Sequence, residues 1–465
     1  EYGGEPQPTG TTYFIPAAAL AAGAAGSFFQ TDVDINNTGD ADVTYTIQWL
    51  PRGEDNSNPV TSDEFTLAAG ASMRYVNVLE DVFGASPDVV GGLAVVADMD
   101  TLIVISRTYN LTDEGTFGQA IGGIPAADLI MEGDTERINF MSQDDALRAN
   151  LGCANGSMNP VNINIDLFDD AGTMLETKTM ALGPYGNNQI NRIFRDYAPT
   201  NGYADVSSAT AGAMYYCYGS VLDNGTSDPT TIMPAQYGMN NMIFIPAAAL
   251  ASGAAGSFFQ TDVDINNAGS GMATYQFAWL PRGEVNSTPA MSDSFTLDAG
   301  ASVRYVNVLE EVFGAAPDVA GALYVMTDVA DLGVMTRTYN VADEGTFGQA
   351  IPGVNLDHFL GEGDMGRIIF MSQDDALRAN LGCVNGTMSD LQIAIDLYDA
   401  DGNMLETKGM SLPAYGNSQI NRIFRDYAPV NGYADVHSAT AGASFYCYGS
   451  VLDNATSDPT TILPQ

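Results

Sequence analysis

Two pairs of aspartates have a spacing at which carboxylates act together. Asp32 and Asp34 are two residues apart, and Asp262 and Asp264 repeat the arrangement. Side chains two residues apart on a strand share a face and lie roughly 7 Å from each other. That geometry suits a calcium ion, or the acid and base of a glycosidase. The interpretation we prefer is a solvated strand face, because nothing in the sequence indicates an apolar pocket that would keep one acid protonated.

The four cysteines also form two pairs with the same separation. The interval from Cys153 to Cys217 equals the interval from Cys383 to Cys447. In an internal alignment, the cysteines fall on positions that are apolar and inward-facing in the preceding segment. We therefore predict one disulfide for each pair, between neighbouring strands or sheets. Two buried free thiols are the alternative, and a metal site is disfavoured because no histidine accompanies either pair.

Histidine is too scarce to support a repeated catalytic site. The chain repeats itself at a fixed offset, and its only histidines, His358 and His437, have Asp128 and Ser207 as counterparts in the first half. Neither histidine lies near a serine or cysteine nucleophile motif. Phosphate loops, zinc-binding helices and dinucleotide fingerprints do not occur in the sequence. The sequence therefore predicts a protein that is not an enzyme and requires no cofactor, with calcium as the one ion to consider.

Basic residues are few, yet every one of them is kept in both halves of the chain. There are 16 Lys and Arg against 57 Asp and Glu, and each base of the first half recurs at the equivalent position of the second. Acids differ more freely, as Asp55 and Val285 do. Arginine forms bidentate hydrogen bonds, so we predict structural roles at loops or module contacts, with ligand binding as the alternative. The arginines assigned to the structural role are Arg107, Arg192, Arg195, Arg337, Arg422 and Arg425.

The formal net charge of −41 excludes a nucleic-acid surface, which needs clustered lysine and arginine. It favours a saline or calcium-containing exterior, where ions screen the repulsion between carboxylates. No apolar run reaches the roughly 20 residues of a membrane helix, so no membrane span is expected. The sequence opens at Glu1 without a basic, apolar leader, and we expect export after removal of a signal peptide.

Self-comparison shows a long internal repeat. The run FIPAAALAAGAAGSFFQTDVDINN begins at Phe14, and a copy with one difference begins at Phe244, which gives an offset of 230 in sequence number. The offset persists to the sequence SDPTTI, which begins at Ser227 and again at Ser457. A weaker repeat inside each half aligns residues 31–37 with residues 149–155. The chain is therefore predicted to contain four related modules.

Each module shows the periodicity of strands. Val43, Tyr45, Ile47 and Trp49 alternate with polar residues, as in a half-buried strand. Short strands separated by glycine-containing turns predict an all-β fold of four tandem immunoglobulin-like β-sandwich domains, arranged as two copies of a two-domain unit. One-turn helical segments are expected near residues 78–84 and 190–197. The predicted boundaries are a tail at 1–12 and sandwiches at 13–130, 131–242 with a disulfide, 243–360, and 361–465 with a disulfide.

Several motifs in fixed order resemble those of a family of secreted bacterial surface proteins with repeated immunoglobulin-like domains. After the run at Phe14 they are LPRGE, SRTYN, GTFGQAI, RANLG, NRIFR and SVLDN. The resemblance covers nearly all of both halves and implies an exported bacterial protein made of β-sandwiches. It implies no activity and no catalytic residues. Cys153 and Cys217 depart from the common pattern, as does the acidity.

The repeat suggests a structural subunit of an extracellular filament or cell-surface assembly, in which the protein is its own partner. The joint at residues 234–238 resembles the sequence made by Pro464 and Gln465 followed by residues 1–3 of another chain. Chains are therefore predicted to polymerise head to tail, or by addition of the N-terminal tail to a sheet edge. The alternative is a secreted adhesin or a carbohydrate- or calcium-binding protein, with glycans or a cell surface as partner.

Overall fold

The chain is an all-β protein whose antiparallel sheets recur in two copies. A computed structural model describes residues 11–113, 115–235, 237–238, 240–253, 256–343 and 345–465. The strands of the first copy are β1 (Thr11–Ala22), β2 (Phe28–Asn37), β3 (Val43–Pro51), β4 (Val60–Thr61), β5 (Phe65–Leu67), β6 (Ser72–Tyr75), β7 (Val89–Ala97), β8 (Leu102–Thr112), β9 (Gly115–Gly122), β10 (Ile124–Pro125), β11 (Ile130–Met131), β12 (Thr135–Met141), β13 (Leu147–Asn155), β14 (Val161–Phe168), β15 (Met174–Leu182), β16 (Asn187–Ile190), β17 (Gly202–Ser207), β18 (Met214–Asp223) and β19 (Pro229–Ile232).

The second copy repeats this order of elements. Its strands are β20 (Met242–Ser252), β21 (Phe258–Asn267), β22 (Ala273–Pro281), β23 (Ala290–Met291), β24 (Phe295–Leu297), β25 (Ser302–Tyr305), β26 (Val319–Thr327), β27 (Leu332–Ala342), β28 (Gly345–Pro352), β29 (Val354–Asn355), β30 (Leu360–Gly361), β31 (Met365–Met371), β32 (Leu377–Asn385), β33 (Leu391–Tyr398), β34 (Met404–Leu412), β35 (Asn417–Ile420), β36 (Gly432–His437), β37 (Ser444–Asp453) and β38 (Pro459–Ile462). The helices are α1 (Val78–Asp81) and α2 (Val308–Phe313), with 3-10 turns at Ala24–Gly26, Ala126–Asp128 and Leu356–His358. Within the described ranges, no helix is long and apolar enough to cross a membrane.

Each copy contains three sheets. Sheet 1 comprises β1 to β10 and follows the order β4-β3-β7-β1-β2-β8-β9. The short strands β5, β6 and β10 pair with β3, β2 and β1, respectively. Sheet 2 follows the order β11-β18-β13-β16 with β19 on β18, and sheet 3 follows β12-β17-β14-β15. Sheets 4, 5 and 6 repeat this arrangement in β20 to β38. The predicted tail at 1–12 ends too late, because Thr11 and Thr12 belong to β1 and pair with Ala97 and Val96 of β7. Residues 1–10 lie outside the described part.

Alternating side chains explain which strand faces are buried. In β14, Val161, Ile163, Ile165 and Leu167 point into a core that sheets 2 and 3 enclose, and the residues between them face outward. Strand β13 is buried along nearly its whole length because it has the core on one side and other sheets on the other. The apolar pattern therefore distinguishes outer strands from inner ones.

The two predicted helical segments differ in outcome. Residues Val78–Asp81 form α1, and its first two side chains are buried. The stretch 190–197 is instead a series of turns, because Ile193 and Phe194 enter the core and Arg192 adopts a positive φ of 50°.

Within a copy, sheets 1 and 2 meet through an apolar cluster that includes Phe14, Leu50, Tyr216 and Tyr218. The second copy has the equivalent cluster, which includes Phe244 and is separate from the sandwich cores. Each copy is therefore held together by its own hydrophobic contact, at roughly 25 cal/mol for each Å² of apolar surface buried.

The two copies contact each other reciprocally. Arg107 of the first copy lies 3.6 Å from the carboxylate of Asp458 in the second, and the matching Arg337 lies 3.4 Å from Asp228 in the first. Burial raises the pKa of Asp228 to about 7, and burial together with the neighbouring Asp228 charge raises that of Asp458, while the arginines oppose both shifts. These two ion pairs are equivalent when the copies are exchanged, as in a two-fold, isologous interface.

Apolar contacts follow the same exchange. Ile105 of β8 packs into the core of sheets 5 and 6, and its counterpart Met335 packs into the core of sheets 2 and 3. Near the centre, the rings of Phe117 and Phe347, which occupy equivalent positions in the two copies, stack at a centroid distance of 4.3 Å. The pair is its own equivalent, so it lies on the pseudo-two-fold axis.

These contacts bring the two copies together and close the chain on itself. Each copy touches the other through both its sheet 1 region and its sheet 2 and 3 region. A head-to-tail contact would instead join two different surfaces and leave one of each open. Filament formation stays a prediction, but the contact between the copies does not serve as its template, and the sequence 1–3 on which the proposed joint depends lies outside the described residues.

Replacing Arg107 with methionine is expected to lower the free energy of unfolding by about 3 kcal/mol, because Asp458 would be left buried without its cation. The matched control is Lys178→Met, since Lys178 forms a partly exposed pair with Glu176 on the edge strand β15. That control should cost less than about 1 kcal/mol. Urea unfolding measures both; equal losses in the two variants would contradict the role assigned to the reciprocal ion pairs.

Candidate functional site

The cysteines are joined as predicted, and both disulfides lie within a sheet. Cys153 on β13 is directly opposite Cys217 on β18, with 4.0 Å between the Cα atoms. Cys383 and Cys447 have the same arrangement in sheet 5. All are at most 1% exposed, so the bonds fix neighbouring core strands rather than linking two sheets.

The aspartates of the first pair do not line a solvated face, contrary to our preferred interpretation. Asp32 is 8% exposed and Asp34 is fully buried. Arg74 donates from Nε to Oδ1 of Asp34 at 2.8 Å. Asp32 accepts from the backbone N–H of Asn77 at 2.9 Å and from the hydroxyl of Tyr109 at 3.0 Å. The carboxylates share a strand face, but that face is covered by donors from sheet 1.

The second copy reproduces this network. Arg304 donates to both oxygens of Asp264 at 2.7 and 3.1 Å, and Asp262 accepts from the backbone of Asn307 and from Tyr339. Among the residues that the structure describes, no group of three or more His, Cys, Asp or Glu side chains is placed to hold a metal. Calcium binding at these aspartates stays a prediction, and their known neighbours are protein donors.

Burial dominates the titration of Asp34. It raises the pKa to about 7, although the positive charge of Arg74 and its hydrogen bond act in the opposite direction. Asp32 has a raised pKa for the same reason, partly offset by the N–H of Asn77. The two carboxylates are buried but accept hydrogen bonds from protein donors. These bonds connect β2 to β6 and to the segment that follows β6.

The predicted structural role holds for Arg107 and Arg337, which bridge the copies. Other arginines share the role but were not singled out from the sequence. Arg137 binds Asp205 with two hydrogen bonds of 2.7 and 2.8 Å, and it also donates to Asn266 of the other copy at 3.3 Å. Each of these arginines faces an aspartate on a neighbouring strand. Which residues face each other depends on strand register, so this feature cannot be recognised from the sequence. The arginines of this wider set are Arg74, Arg137, Arg304 and Arg367.

The remaining arginines behave differently. Arg192, Arg195, Arg422 and Arg425 were predicted to tie the structure together, yet all are exposed. Within the described parts of the chain, these four and four neighbouring arginines form no ion pair, whereas every other lysine and arginine does. We call the first-copy set, Arg52, Arg148, Arg192 and Arg195, cluster 1, and the second-copy set, Arg282, Arg378, Arg422 and Arg425, cluster 2.

Cluster 2 lines a cleft of about 420 Å³ between sheets 4 and 5. One wall is the alanine-rich strand β20 with Phe259, and the other is the outer face of sheet 5. Among the described residues, the charged side chains that line the cleft are its four arginines, without any aspartate or glutamate. In a chain with 57 acids, this makes the cleft a local positive region.

A tight turn presents the two exposed arginines. Ile423 and Phe424 are buried in the core of sheets 5 and 6, so Arg422 and Arg425 on either side of them face outward. The side chain of Asn380 on β32 accepts a 2.9 Å hydrogen bond from the backbone of Arg422. The NRIFR motif therefore encodes a turn whose apolar centre anchors it and whose basic ends are free to act.

The two other arginines form the deeper part of the cleft. Arg378 is 7% exposed and donates to the backbone oxygen of Asp453 and to the side chain of Asn454, at 3.2 and 3.0 Å. Burial lowers the pKa of Arg378, and the nearby charge of Arg422 lowers it further. Arg282 reaches Gln419 at 3.5 Å, but its buried Nε has no hydrogen-bond partner among the described residues. The carboxylate of Asp453 opposes both effects on Arg378 without forming an ion pair with it. Among the described residues, the cluster therefore holds arginines without an ion-pair partner and an unused donor.

Cluster 1 repeats these features. Burial and the nearby charge of Arg192 lower the pKa of Arg148, and the Nε of Arg52 has no partner in the described structure. Of the residues that line the second-copy cleft, only Ser252 and Ala320 differ in type from their counterparts. The sequence did contain a signal for these clusters, because every arginine was retained after the duplication, but it could not separate paired arginines from unpaired ones.

Removing one disulfide is expected to destabilise the chain strongly. In the double variant Cys153→Ala/Cys217→Ala, loss of a 64-residue cross-linked loop should lower the free energy of unfolding by about 4 kcal/mol, since the unfolded chain gains entropy. Urea unfolding of this variant should match that of Cys383→Ala/Cys447→Ala, the equivalent change in the second copy. A loss below about 1 kcal/mol would show that the bond contributes little to the folded state.

The raised pKa of Asp34 predicts a pH dependence of stability. Because the ordinary value is 3.8 and the folded value is about 7, the folded chain binds this proton more tightly. Its stabilising contribution is complete below pH 4 and is lost as the pH rises through 7. Asp34→Asn should therefore flatten the fall in stability between pH 4 and 7, because an amide at this position does not titrate.

The control for this pH series is Asp145→Asn, which removes the same charge from an exposed turn. It should keep the slope of the unmodified chain. Chemical unfolding at intervals of one pH unit gives both slopes, and an unchanged slope in Asp34→Asn would contradict protonation of Asp34 in this range.

Comparison with known proteins places the chain in no family. No protein-family model and no curated protein matches it. A crystal structure of protein 1070 of Thermotoga maritima is 14% identical over 24% of this chain and 92% of that one, with a TM-score of 0.20. Latent dimeric PorU of Porphyromonas gingivalis is 10% identical (98% and 34% covered, TM-score 0.15), and Streptomyces avermitilis α-L-rhamnosidase complexed with L-rhamnose is 8% identical (94% and 57%, TM-score 0.11). Similarities this low carry no argument about fold or function.

Proposed function

We propose that this chain is an extracellular binding protein, not an enzyme, that takes up an anionic ligand in two equivalent arginine clusters. The observation that carries the proposal is that the lysines and arginines fall into two groups, which differ in whether they have a carboxylate partner among the described residues. Those between sheets and on the edge strands each have a carboxylate partner, and those of clusters 1 and 2 have none among the described residues. Positive charge left unpaired in so acidic a chain is suited to a ligand carboxylate or sulfate.

The electrostatics of cluster 2 support this proposal. Burial is the main cause of the lowered pKa of Arg378, and the positive charge of Arg422 adds to it. An anion placed between the two arginines would relieve their repulsion. Arginine presents a planar fork of donors that matches carboxylate geometry. The surrounding acidic surface repels anions in general, so binding is confined to groups that enter the cleft.

The finer architecture is part of the same proposal. We infer that sheets 2 and 3, which enclose one core, form an immunoglobulin-like sandwich, and that the chain comprises four such domains in two copies. The antiparallel order and the shared core support that inference. The two disulfides support an oxidising, extracellular location.

Assembly into a filament or surface layer remains a second candidate, and one observation limits how it would occur. Lys178 and Lys408, the only lysines of the chain, lie in the middle of the edge strands β15 and β34. Lysine on an edge strand discourages pairing with another chain. Assembly by strand addition is therefore not expected at these edges, and any contact between chains should involve other surfaces.

The binding proposal is tested by isothermal titration with citrate at constant ionic strength. The unmodified chain should bind at two sites. Arg422→Ala/Arg425→Ala should leave one site, and adding Arg192→Ala/Arg195→Ala should weaken binding at least about 100-fold, because charge-assisted hydrogen bonds contribute roughly 1.5–3 kcal/mol each. The exposed position of these side chains means that the unfolding midpoint should stay close to that of the unmodified chain.

A charge-matched control separates specific binding from the general effect of charge. Lys178→Met/Lys408→Met removes two positive charges, as many as Arg422→Ala/Arg425→Ala, from the edge strands β15 and β34, and it should retain both sites. Citrate binding that is unchanged in the quadruple arginine variant, or that falls equally in the lysine variant, would overturn the proposal.

A further inference from the structure

Resting on the proposed anion binding, we propose that the ligand of cluster 2 is an acidic sugar, with a carboxylate held by the arginines and ring hydroxyls held by the neighbouring amides. The cleft offers two kinds of unmet hydrogen-bonding capacity. Arg282 has a buried donor without a partner, and Gln349 has a buried acceptor without one, within the described structure. A ligand that satisfies both must accept and donate.

Gln349 is the residue that argues for a hydroxyl. It is 2% exposed, lines the cleft, and its Oε1 has no donor among the described residues. A buried acceptor left unsatisfied costs about 1–3 kcal/mol. Carboxylate, sulfate and fully ionised phosphate groups only accept hydrogen bonds, so none of them alone would satisfy Gln349. A hydroxyl attached to the same ligand would donate to it.

The first copy provides an internal comparison. The counterpart of Gln349 is Gln119, and its Oε1 accepts from the backbone N–H of Thr231. The requirement for a donor therefore belongs to cluster 2. The two clusters share their arginines but differ in this acceptor, which gives a matched control position within one chain.

The rest of the cleft lining fits a sugar ring. Side chains that both donate and accept surround the arginines, and vicinal hydroxyls of a saccharide have the same dual character. A volume of about 420 Å³ is in the range of small-ligand sites. The polar neutral residues of the lining include Gln349, Asn380, Gln419 and Asn421.

The overall charge restricts the kind of acidic sugar. At −41 the chain repels dense polyanions at long range, so a ligand with a phosphate at every position would meet a large barrier. A uronic acid carries one carboxylate on each ring and places hydroxyls beside it. The geometry therefore points to hexuronates, alone or at the end of a saccharide chain.

The test measures affinity for three hexuronates, glucuronate, galacturonate and mannuronate, against acetate and glucose at constant ionic strength. The variant used for all ligands is Arg192→Ala/Arg195→Ala, so that only cluster 2 is observed. At least one hexuronate should bind ten-fold or more tightly than both acetate and glucose. Adding Gln349→Leu should remove the preference over acetate while acetate binding remains, and Gln119→Leu should change neither.

The outcomes distinguish this inference from the proposed function. Equal affinity for acetate and every hexuronate would overturn the sugar assignment and leave anion binding standing. Binding of citrate without any hexuronate would do the same. Binding of neither citrate nor hexuronates would overturn both. Gln349→Met serves as a second variant, with the unfolding midpoint as the check on folding, and a preference that survives in both variants would exclude the role of Gln349.

Discussion

The structure depends on the pairing of buried arginines with carboxylates between its two copies. A charge removed from water is tolerated when a partner and additional hydrogen bonds compensate its desolvation, and Arg107 meets that condition with Asp458, Thr460 and Thr116. Because the duplication repeats each residue, the same pairing occurs a second time through Arg337. Two identical contacts related by exchange of the copies can only be satisfied together when the chain closes on itself. The closed form is thus a consequence of duplicated, buried charge.

The arginines of clusters 1 and 2 differ from these paired arginines. The chain contains few bases, and those needed to neutralise buried aspartates are committed to that purpose. Arg378 resembles them in burial but donates to a backbone oxygen and neutral side chains instead of a carboxylate. Burial lowers the pKa of Arg378, and the neighbouring charge of Arg422 lowers it further. Functional sites are the places where such unfavourable arrangements are retained, since a ligand compensates them.

Rigidity around the clusters has two sources in the same sheet. Strand β32, which carries Arg378 and Asn380, also carries Cys383, whose disulfide joins it to β37. The face of β32 that points away from the core of sheets 5 and 6 packs against sheet 4 through the apolar cluster around Phe244. A strand held on both faces keeps its arginine in place without ligand, which reduces the entropy lost on binding.

Much of the architecture could be predicted from sequence because it depends on local patterns and on repetition. Alternating apolar residues such as those of β14 predict strands, since side chains on a strand alternate between faces. The constant offset between the two halves predicts the duplication, and the spacing and apolar setting of Cys153 and Cys217 predict their pairing. The retained arginines were also visible, although their separate roles were not.

Only the tertiary structure decided which side of each pattern faces water and which copy meets which. From the sequence, Asp32 and Asp34 were interpreted as part of a solvated face. Alternation places both side chains on the same face of a strand, but it does not specify what covers that face. Arg192 and Arg195 read as structural for the same reason, whereas Arg137 was not singled out because its partners, Asp205 and Asn266, lie on other strands. The sequence by itself determined strands, duplication and cysteine pairs through short-range periodicity. Partner choice for each charge depends on contacts between residues that are far apart in the chain, and therefore only the folded, closed arrangement determined it.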